Sequence, residues 1–363
     1  MDLSFYKGKK VLVTGHTGFK GTWLTKILVN AGADVIGYSR CSKKEVSLFE
    51  LSEVKDKICH IQGDVRDLSH LHTVFEKYQP EIVLHLAAQP IVRDSYKEPV
   101  YTYETNVMGT VNILECVRRN PCVKSVLNVT TDKVYENKEW CWGYRENEPL
   151  DGFDPYSNSK SCSELVTHSY KNSFFENKNI AISTARAGNV IGGGDFANDR
   201  IIPDCVRAMR DKVAIKVRNP YSIRPYQHVL EPLAVYLMIA AKQYEDKSYQ
   251  GYYNVGPDDC DCMSTGQLVD LFCKCWREDA KWEKQTEENA PHEANFLRLD
   301  CSKVKKIFGW MPRWHMEECM KMTVRFSKIW LNGENIPKEM DKEIEEFFGN
   351  KIDWGESYYG KME

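Results

Sequence analysis

Lys10-Val11-Leu12-Val13-Thr14-Gly15-His16-Thr17-Gly18-Phe19-Lys20-Gly21 is the stretch that decides the fold. Its first five residues form a short β-branched run that reads as a strand, and a helical pattern follows from Lys20 to Ala31. Between them stand three glycines with two residues in each gap. Glycine is needed where backbone turns sharply, lets a pyrophosphate approach closely, or lets the next helix pack on its sheet. The start of that helix offers unpaired N–H groups and the positive end of its dipole to phosphate. Three glycines alone can mark a structural turn, but a strand before and a helix after make the spacing a dinucleotide-binding signature.

Working outward, further apolar runs lie at 33–38, 58–65, 81–88, 125–130 and 180–185, separated by amphipathic stretches of helix length. Strands apolar throughout, with helices between them, predict a parallel sheet buried on both faces. Repeated βα units with right-handed crossovers make it doubly wound. The expected fold is therefore α/β, a doubly wound parallel Rossmann sheet with a smaller C-terminal α+β substrate lobe. Residues 1–185 read as the dinucleotide-binding domain and 186–331 as mainly the substrate lobe, with a return of the chain to the first domain around 225–260. The lobe carries Gly192-Gly193-Gly194, a strand at 252–255 and helical patterns at 264–276 and 316–331. Residues 332–363 read as a polar tail, either a solvated helix or partly disordered.

Composition narrows the function. Among 363 residues, 49 Lys and Arg against 52 Asp and Glu leave a net charge of −3, which argues against nucleic acid and against a polybasic membrane anchor. No apolar run reaches the ~18 residues of a transmembrane helix, and the first residues lack the pattern of a signal peptide. The 13 cysteines are odd in number and follow no spaced framework, which suits reduced thiols in the cytoplasm. Cys260 with Cys262 and Cys273 with Cys275 could hold zinc, but one intervening residue is outside the usual spacing. The pair at 273 and 275 would lie roughly 200° apart around a helix. Free thiols are the favoured reading, and no metal is expected.

Two further motifs carry chemistry. In Asp154-Pro155-Tyr156-Ser157-Asn158-Ser159-Lys160, proline can occupy the first helical turn, which places Tyr156 and Lys160 on one helix face. A nearby ammonium favours phenolate, so the expectation is a tyrosine pKa lowered towards the range of a general base. Such a pair arises often by chance; following a glycine loop by about 140 residues it becomes specific. Thr130-Thr131-Asp132-Lys133 ends a strand at the edge where doubly wound sheets place ligands. There a hydroxyl, an acid and an amine meet, although an exposed ion pair in a turn is the alternative.

The Gly15/Gly18/Gly21 loop, the Leu86-Ala87-Ala88-Gln89 strand end, Thr131 and the Tyr156/Lys160 pair together resemble the extended short-chain dehydrogenase/reductase family. Longer strings, among them Trp140-Cys141-Trp142-Gly143-Tyr144-Arg145, Arg186-Ala187-Gly188-Asn189-Val190-Ile191 and Arg218-Asn219-Pro220-Tyr221-Ser222-Ile223-Arg224-Pro225, resemble its sugar-nucleotide 4,6-dehydratases, those acting on CDP-glucose in particular. The likeness runs from residue 5 to about residue 331. It implies a lyase that oxidises C4, eliminates water across C5 and C6, and returns the hydride to C6 with NAD. The residues so implied as catalytic are Thr131, Asp132, Lys133, Tyr156 and Lys160.

Around the cofactor the same resemblance implies Gly15, Thr17, Gly18, Phe19, Gly21, Asp64, Val65, Leu86, Ala87, Ala88 and Gln89 besides Tyr156 and Lys160, and around the substrate Arg93, Asn189 and Arg224. Many of these dehydratases have Asp-Glu after the threonine; Asp132-Lys133 departs from that and leaves the C5 base open. The second strand ends in Tyr38-Ser39-Arg40 without an acid, so Arg40 keeps NADP as the less favoured alternative, or is simply solvent-facing. A nucleotide-sugar 4-epimerase or a reductase, or a dehydratase for another nucleotide sugar, is the rival activity, and a non-enzymatic sensor or scaffold the third reading. A homodimer is expected through the helices within 99–119 and 156–172, with apolar residues at Val107, Val111, Leu114 and Val117, at Met108 and Ile113 opposite, and at Leu165, Val166 and Tyr170.

Overall fold

A computed structural model describes residues 2–40, 46–277, 280–285 and 296–349. Seven strands form one parallel sheet: β1 (Lys10–Thr14), β2 (Asp34–Ser39), β3 (Cys59–Gln62), β4 (Ile82–His85), β5 (Ser125–Thr131), β6 (Ala181–Ala187) and β7 (Tyr252–Val255). Their order is β7-β6-β5-β4-β1-β2-β3, which reverses direction between β1 and β4. At such a reversal the crossover helices leave on opposite faces and a crevice opens beyond the carboxyl ends. The register brings those ends together: Thr14 pairs with both Tyr38 and His85, and Thr131 with Ala187.

Both faces are covered, which is why the strands are apolar throughout. Val11, Val13, Ile82, Leu84 and Leu127 point into one core with helices α1 (Phe19–Asn30), α5 (Leu230–Glu245) and α7 (Ile336–Phe348). Leu12, Val83 and Val126 point into the other, with α2 (Leu68–Tyr78), α3 (Gly109–Arg119) and the start of the segment after α4 (Pro155–Tyr170). A third core, including Ile202, Val217, Leu268, Phe272 and Met320, builds the second lobe from helices Ile201–Arg210 and Thr265–Trp276, α6 (Met316–Leu331) and three short strand pairs. The chain enters this lobe after β6 and comes back to the sheet through α5 and β7 before leaving again.

Two expectations change. The segment after residue 332 contains a docked helix: Ile336, Met340, Ile344, Phe347 and Phe348 of α7 are buried, at the 3- and 4-residue spacing of one helix face. Lys26 donates to Asp341 at 2.8 Å, and His228 Nε2 lies 2.9 Å from the fully buried Glu343 carboxylate. The charges of that segment hide the stripe from a reading of polarity. The dimer stripe also divides differently. Ile113, Leu114 and Val117 are in the core because a crossover helix gives its most apolar face to the sheet, and Val166 and Tyr170 pack against the same core. Exposed instead are Val100, Tyr103, Met108 and Leu165.

Glu231, in the first turn of α5, is buried and accepts from the backbone N–H groups of Arg313 and Trp314, both at 2.8 Å, tying α5 to the approach of α6. Burial pushes its carboxyl up to about 7, against those hydrogen bonds. A raised carboxyl holds its proton more tightly when folded, so its contribution is full below the unfolded value and is lost as pH rises towards 7. Chemical denaturation at pH 5 and pH 7.5 should show the wild type losing on the order of 2 kcal/mol relative to Glu231→Gln over that interval. Equal pH dependence in the two proteins would show that Glu231 titrates normally.

Candidate active site

The crevice at the switch point is a cleft of about 2110 Å³ that runs from the glycine loop to the second lobe. Single ligand pockets are typically about 300–1,000 Å³, so this one has room for two molecules. On one side, β1 passes through the glycine loop into α1. Gly15 has φ +74°, and a Cβ there would lie 2.8 Å from the Ala87 nitrogen at the end of β4. At Gly21 a Cβ would lie 2.1 Å from the Gly15 oxygen. These two glycines are therefore required by the protein's own packing. Gly18 differs: the nearest atom to its added Cβ is the Gly15 oxygen at 3.3 Å, and it caps α1 without any side-chain hydrogen bond. The first-turn N–H groups of α1 thus lack a side-chain cap at the edge of the cleft, a cradle fitted to the pyrophosphate of a dinucleotide.

The other proposed cofactor residues line the same cleft, from Thr17 and Phe19 through Asp64 and Val65 to Leu86, Ala87, Ala88 and Gln89. Several are already engaged. Thr17 Oγ1 is 2.7 Å from Ser39 Oγ, and Asp64 receives the Arg66 guanidinium at 2.9–3.2 Å. The Gln89 side-chain amide closes its own loop, bonding Ile91 N at 2.6 Å and Thr102 Oγ1 at 3.0 Å. Arg40 places its guanidinium 5.1 Å from the Tyr101 ring centre, with Arg66 at 4.9 Å from the same ring.

Opposite the glycine loop, β5 ends in Thr131 and a single 3-10 turn, Asp132–Val134, capped by the Thr131 side chain. Thr131 Oγ1 donates to Asp132 Oδ1 at 3.0 Å. Asp132 is 1% exposed, and its second carboxylate oxygen is buried without a hydrogen-bond partner. Burial pushes this carboxyl up, against the charges of Lys133, Arg224 and Lys20 and the Thr131 bond. Asp132 is held towards the protonated form, that of an acid rather than a base.

Helix α4 begins where the sequence places it. Asp154 caps it by accepting from Ser157 N at 3.0 Å, with Pro155 in the first turn. Tyr156, Lys160 and Glu164 follow at four-residue intervals along one face. Glu164 takes Thr130 Oγ1, Thr184 Oγ1 (2.7 Å) and Arg186 (2.9 Å), all fully buried, so β5 and β6 hold the helix in register.

The electrostatics around Tyr156 differ from expectation. Burial pushes its hydroxyl up to about 12, while Thr131 and the Arg200 guanidinium pull it down. Lys160 donates its ammonium to the Val129 carbonyl at 3.0 Å, and burial pushes it down to about 8. Arg200, paired with Asp195 at 2.9 Å, was not foreseen, because nothing in an isolated arginine of a loop announces its place. The proposed substrate residues Arg93, Asn189 and Arg224 line the same cleft. Arg224 is buried and donates to the Ile223 carbonyl at 2.9 Å, and Arg93 lies 4.0 Å from Asp199.

Comparison with known proteins agrees with this architecture. The family model described as GDP-mannose 4,6 dehydratase matches residues 12–323. CDP-glucose 4,6-dehydratase of Salmonella typhimurium is 47% identical over 353 residues, covering 96% of this chain and 98% of that protein. Among solved structures, the UDP-glucose 4-epimerase of Thermotoga maritima superposes with a TM-score of 0.77 at 21% identity, over 89% of this chain and 99% of that one. The dTDP-glucose 4,6-dehydratase of Bacillus anthracis, in complex with NAD, does so with 0.74 at 19% identity, over 88% and 97%. These last two share the fold. The chain belongs to the GDP-mannose 4,6-dehydratase family, within the extended short-chain dehydrogenases/reductases.

Proposed function

We propose that this protein is an NAD-dependent CDP-glucose 4,6-dehydratase, forming CDP-4-keto-6-deoxyglucose and water. The observation that carries the reading is the buried Asp132 with its unpartnered oxygen, one residue from Thr131, in a cleft shared with Tyr156 and Lys133. A 4-epimerase has no need of a buried acid at this place, since it removes no hydroxyl. The 47% identical relative supports the choice of sugar nucleotide.

Tyr156 takes the proton of the substrate's 4-hydroxyl, and Thr131 orients that oxygen. NAD, held at the cradle of Gly15, Gly18 and Gly21, would supply the hydride acceptor for C4 and the donor for C6. The 4-ketone acidifies the hydrogen on C5, and Lys133 is the base that removes it. Asp132 gives its proton to the departing 6-hydroxyl. Lys160 would contact the cofactor, Arg93 would bind the substrate, and Asn189 and Arg224 would hold its diphosphate, where arginine matches phosphate oxygens in charge and geometry. Arg40 packed over Tyr101 supports the reading of NAD rather than NADP, since that stacking already gives its guanidinium a partner.

The protein works in the reducing cytoplasm as a homodimer. The described cysteines are all free, and no helix of the described chain is long and apolar enough to cross a membrane. For the dimer, the supporting feature is a shallow, almost wholly apolar hollow bordered by Val100, Tyr103, Val107, Met108 and Cys162, with Leu165 53% exposed on α4. Apolar surface of this kind marks an interface, and a two-fold axis sets the patch against itself.

Incubation with CDP-glucose should yield the 4-keto-6-deoxy product with no net cofactor reduction; an isomer of the substrate would establish an epimerase instead. Tyr156→Phe should lower turnover by about 10²–10⁴-fold while cofactor binding persists. Lys133→Met and Asp132→Asn should separate the two steps, so that rapid quench shows 4-keto-glucose still bearing its 6-hydroxyl. If both variants form product at the wild-type rate, the two residues are structural. Sedimentation at micromolar concentration should show a dimer that Val100→Glu with Met108→Glu dissociates, and a monomeric wild type would refute the interface.

A further inference from the structure

Lys20 is the second residue of α1, immediately after the Phe19 that follows the Gly18 cap. A cation in the first turn of a helix opposes the helix dipole, and that turn contains no acidic residue to offset it. Among the described residues no carboxylate comes within ion-pair distance of its ammonium. Yet the side chain is half-buried and lines the cleft beside the proposed catalytic residues. Its charge interacts with Asp132 and Asp195, which favour it, and with Arg200 and Lys160, which oppose it. Burial and the two cations push it down to about 8. A residue that breaks the local rule without structural compensation is where function is to be sought.

We propose that Lys20 is a positioning residue for Asp132, its ammonium stabilising the carboxylate that forms when Asp132 protonates the departing 6-hydroxyl. This rests on the dehydratase reading above. In that step the base takes the C5 proton and the C5–H electron pair becomes the C5=C6 double bond. The C6–O bond breaks, its pair leaves with oxygen, and the proton of Asp132 completes the water. A carboxylate then remains in a buried place, where an unpartnered charge is costly. Its free oxygen would lie 3.2 Å from a Cβ at Gly188, and the glycine there offers it no side-chain donor. Among the charges that act on Asp132 are Lys133 on its own turn, Arg224 on strand Ile223–Pro225 and Lys20 on α1. The hydroxyls of Tyr156 on α4 and Tyr236 on α5 are also close enough to feel it. Lys20 alone of the three cations comes from the glycine loop's own helix.

The direct test follows the Asp132 carboxyl by infrared spectroscopy of the full chain with ¹³C-labelled aspartate, the protonated band being assigned by its loss in Asp132→Asn. Removing a neighbouring positive charge makes the carboxylate less favourable. In Lys20→Met, Asp132 should therefore release its proton about one pH unit higher than in wild type, while Lys20→Arg stays near wild type. In turnover, Lys20→Met should slow elimination more than C4 oxidation, let 4-keto-glucose accumulate, and move the alkaline limb of elimination upward. An unmoved band in Lys20→Met, or an equal displacement in both variants, would overturn the role of Lys20. The infrared measurement needs neither substrate nor cofactor. Failure of the wild type to dehydrate CDP-glucose would therefore overturn the dehydratase reading separately.

Discussion

The register between β5 and α4 is the constraint on which the cleft depends, and Glu164 sets it. Its carboxylate is buried between the two elements and receives a hydroxyl from β5 and a hydroxyl and a guanidinium from β6. A buried carboxylate with these donors is expensive to misplace, because any slip would leave a charge unpartnered in a low-dielectric interior. Arg186 extends the clamp to Tyr135, whose hydroxyl donates to Asn254 of β7 at 2.6 Å. One helical turn before Glu164, Lys160 is drawn to the Val129 carbonyl, and one turn earlier still Tyr156 meets the end of β5. The positions of Thr131, Tyr156 and Lys160 are thus consequences of a polar lock beneath them.

Above the lock the cleft is lined by charges of both signs, and a group of cations gathers near the proposed chemistry. Lys20, Lys133, Lys160, Arg200 and Arg224 line it, whereas the acid closest to the proposed chemistry, Asp132, is held towards its neutral form by burial. Such a field suits substrates and cofactors that carry diphosphates. It also separates duties: burial shifts the Asp132 carboxyl in the direction of a proton donor, beside the Lys133 amine proposed as the acceptor. Tyr156 stands apart, because burial raises it while Thr131 and Arg200 counter that rise.

Much of this could be read from the chain alone. The glycine spacing, the apolar strands and the Asp154 cap are local patterns, and local patterns survive into the fold because neighbours in sequence create them. Gly15 and Gly21 are where their motif requires, each pressed against backbone. What escaped the reading depends on distant partners. The burial of Ile113 is decided by the sheet, and the docking of α7 by Lys26 and His228, hundreds of residues upstream or nearly so. The effect of Arg200 on Tyr156 likewise requires a loop of the second lobe to fold across the first domain. Lys20 was visible as an oddity, a cation at the positive end of a helix, but its neighbours could be named only in three dimensions.

The central claim is that one cleft carries out an internally balanced oxidation, elimination and reduction on a single sugar. It is tested most directly with CDP-glucose deuterated at C4, mixed with unlabelled substrate carrying ¹³C in the sugar ring. Mass and NMR analysis of the product should find deuterium at C6 of the molecules that began with it, with none transferred to the ¹³C-labelled population. Deuterium appearing in the ¹³C population, washed out into solvent, or retained at C4 of an isomer would contradict the account.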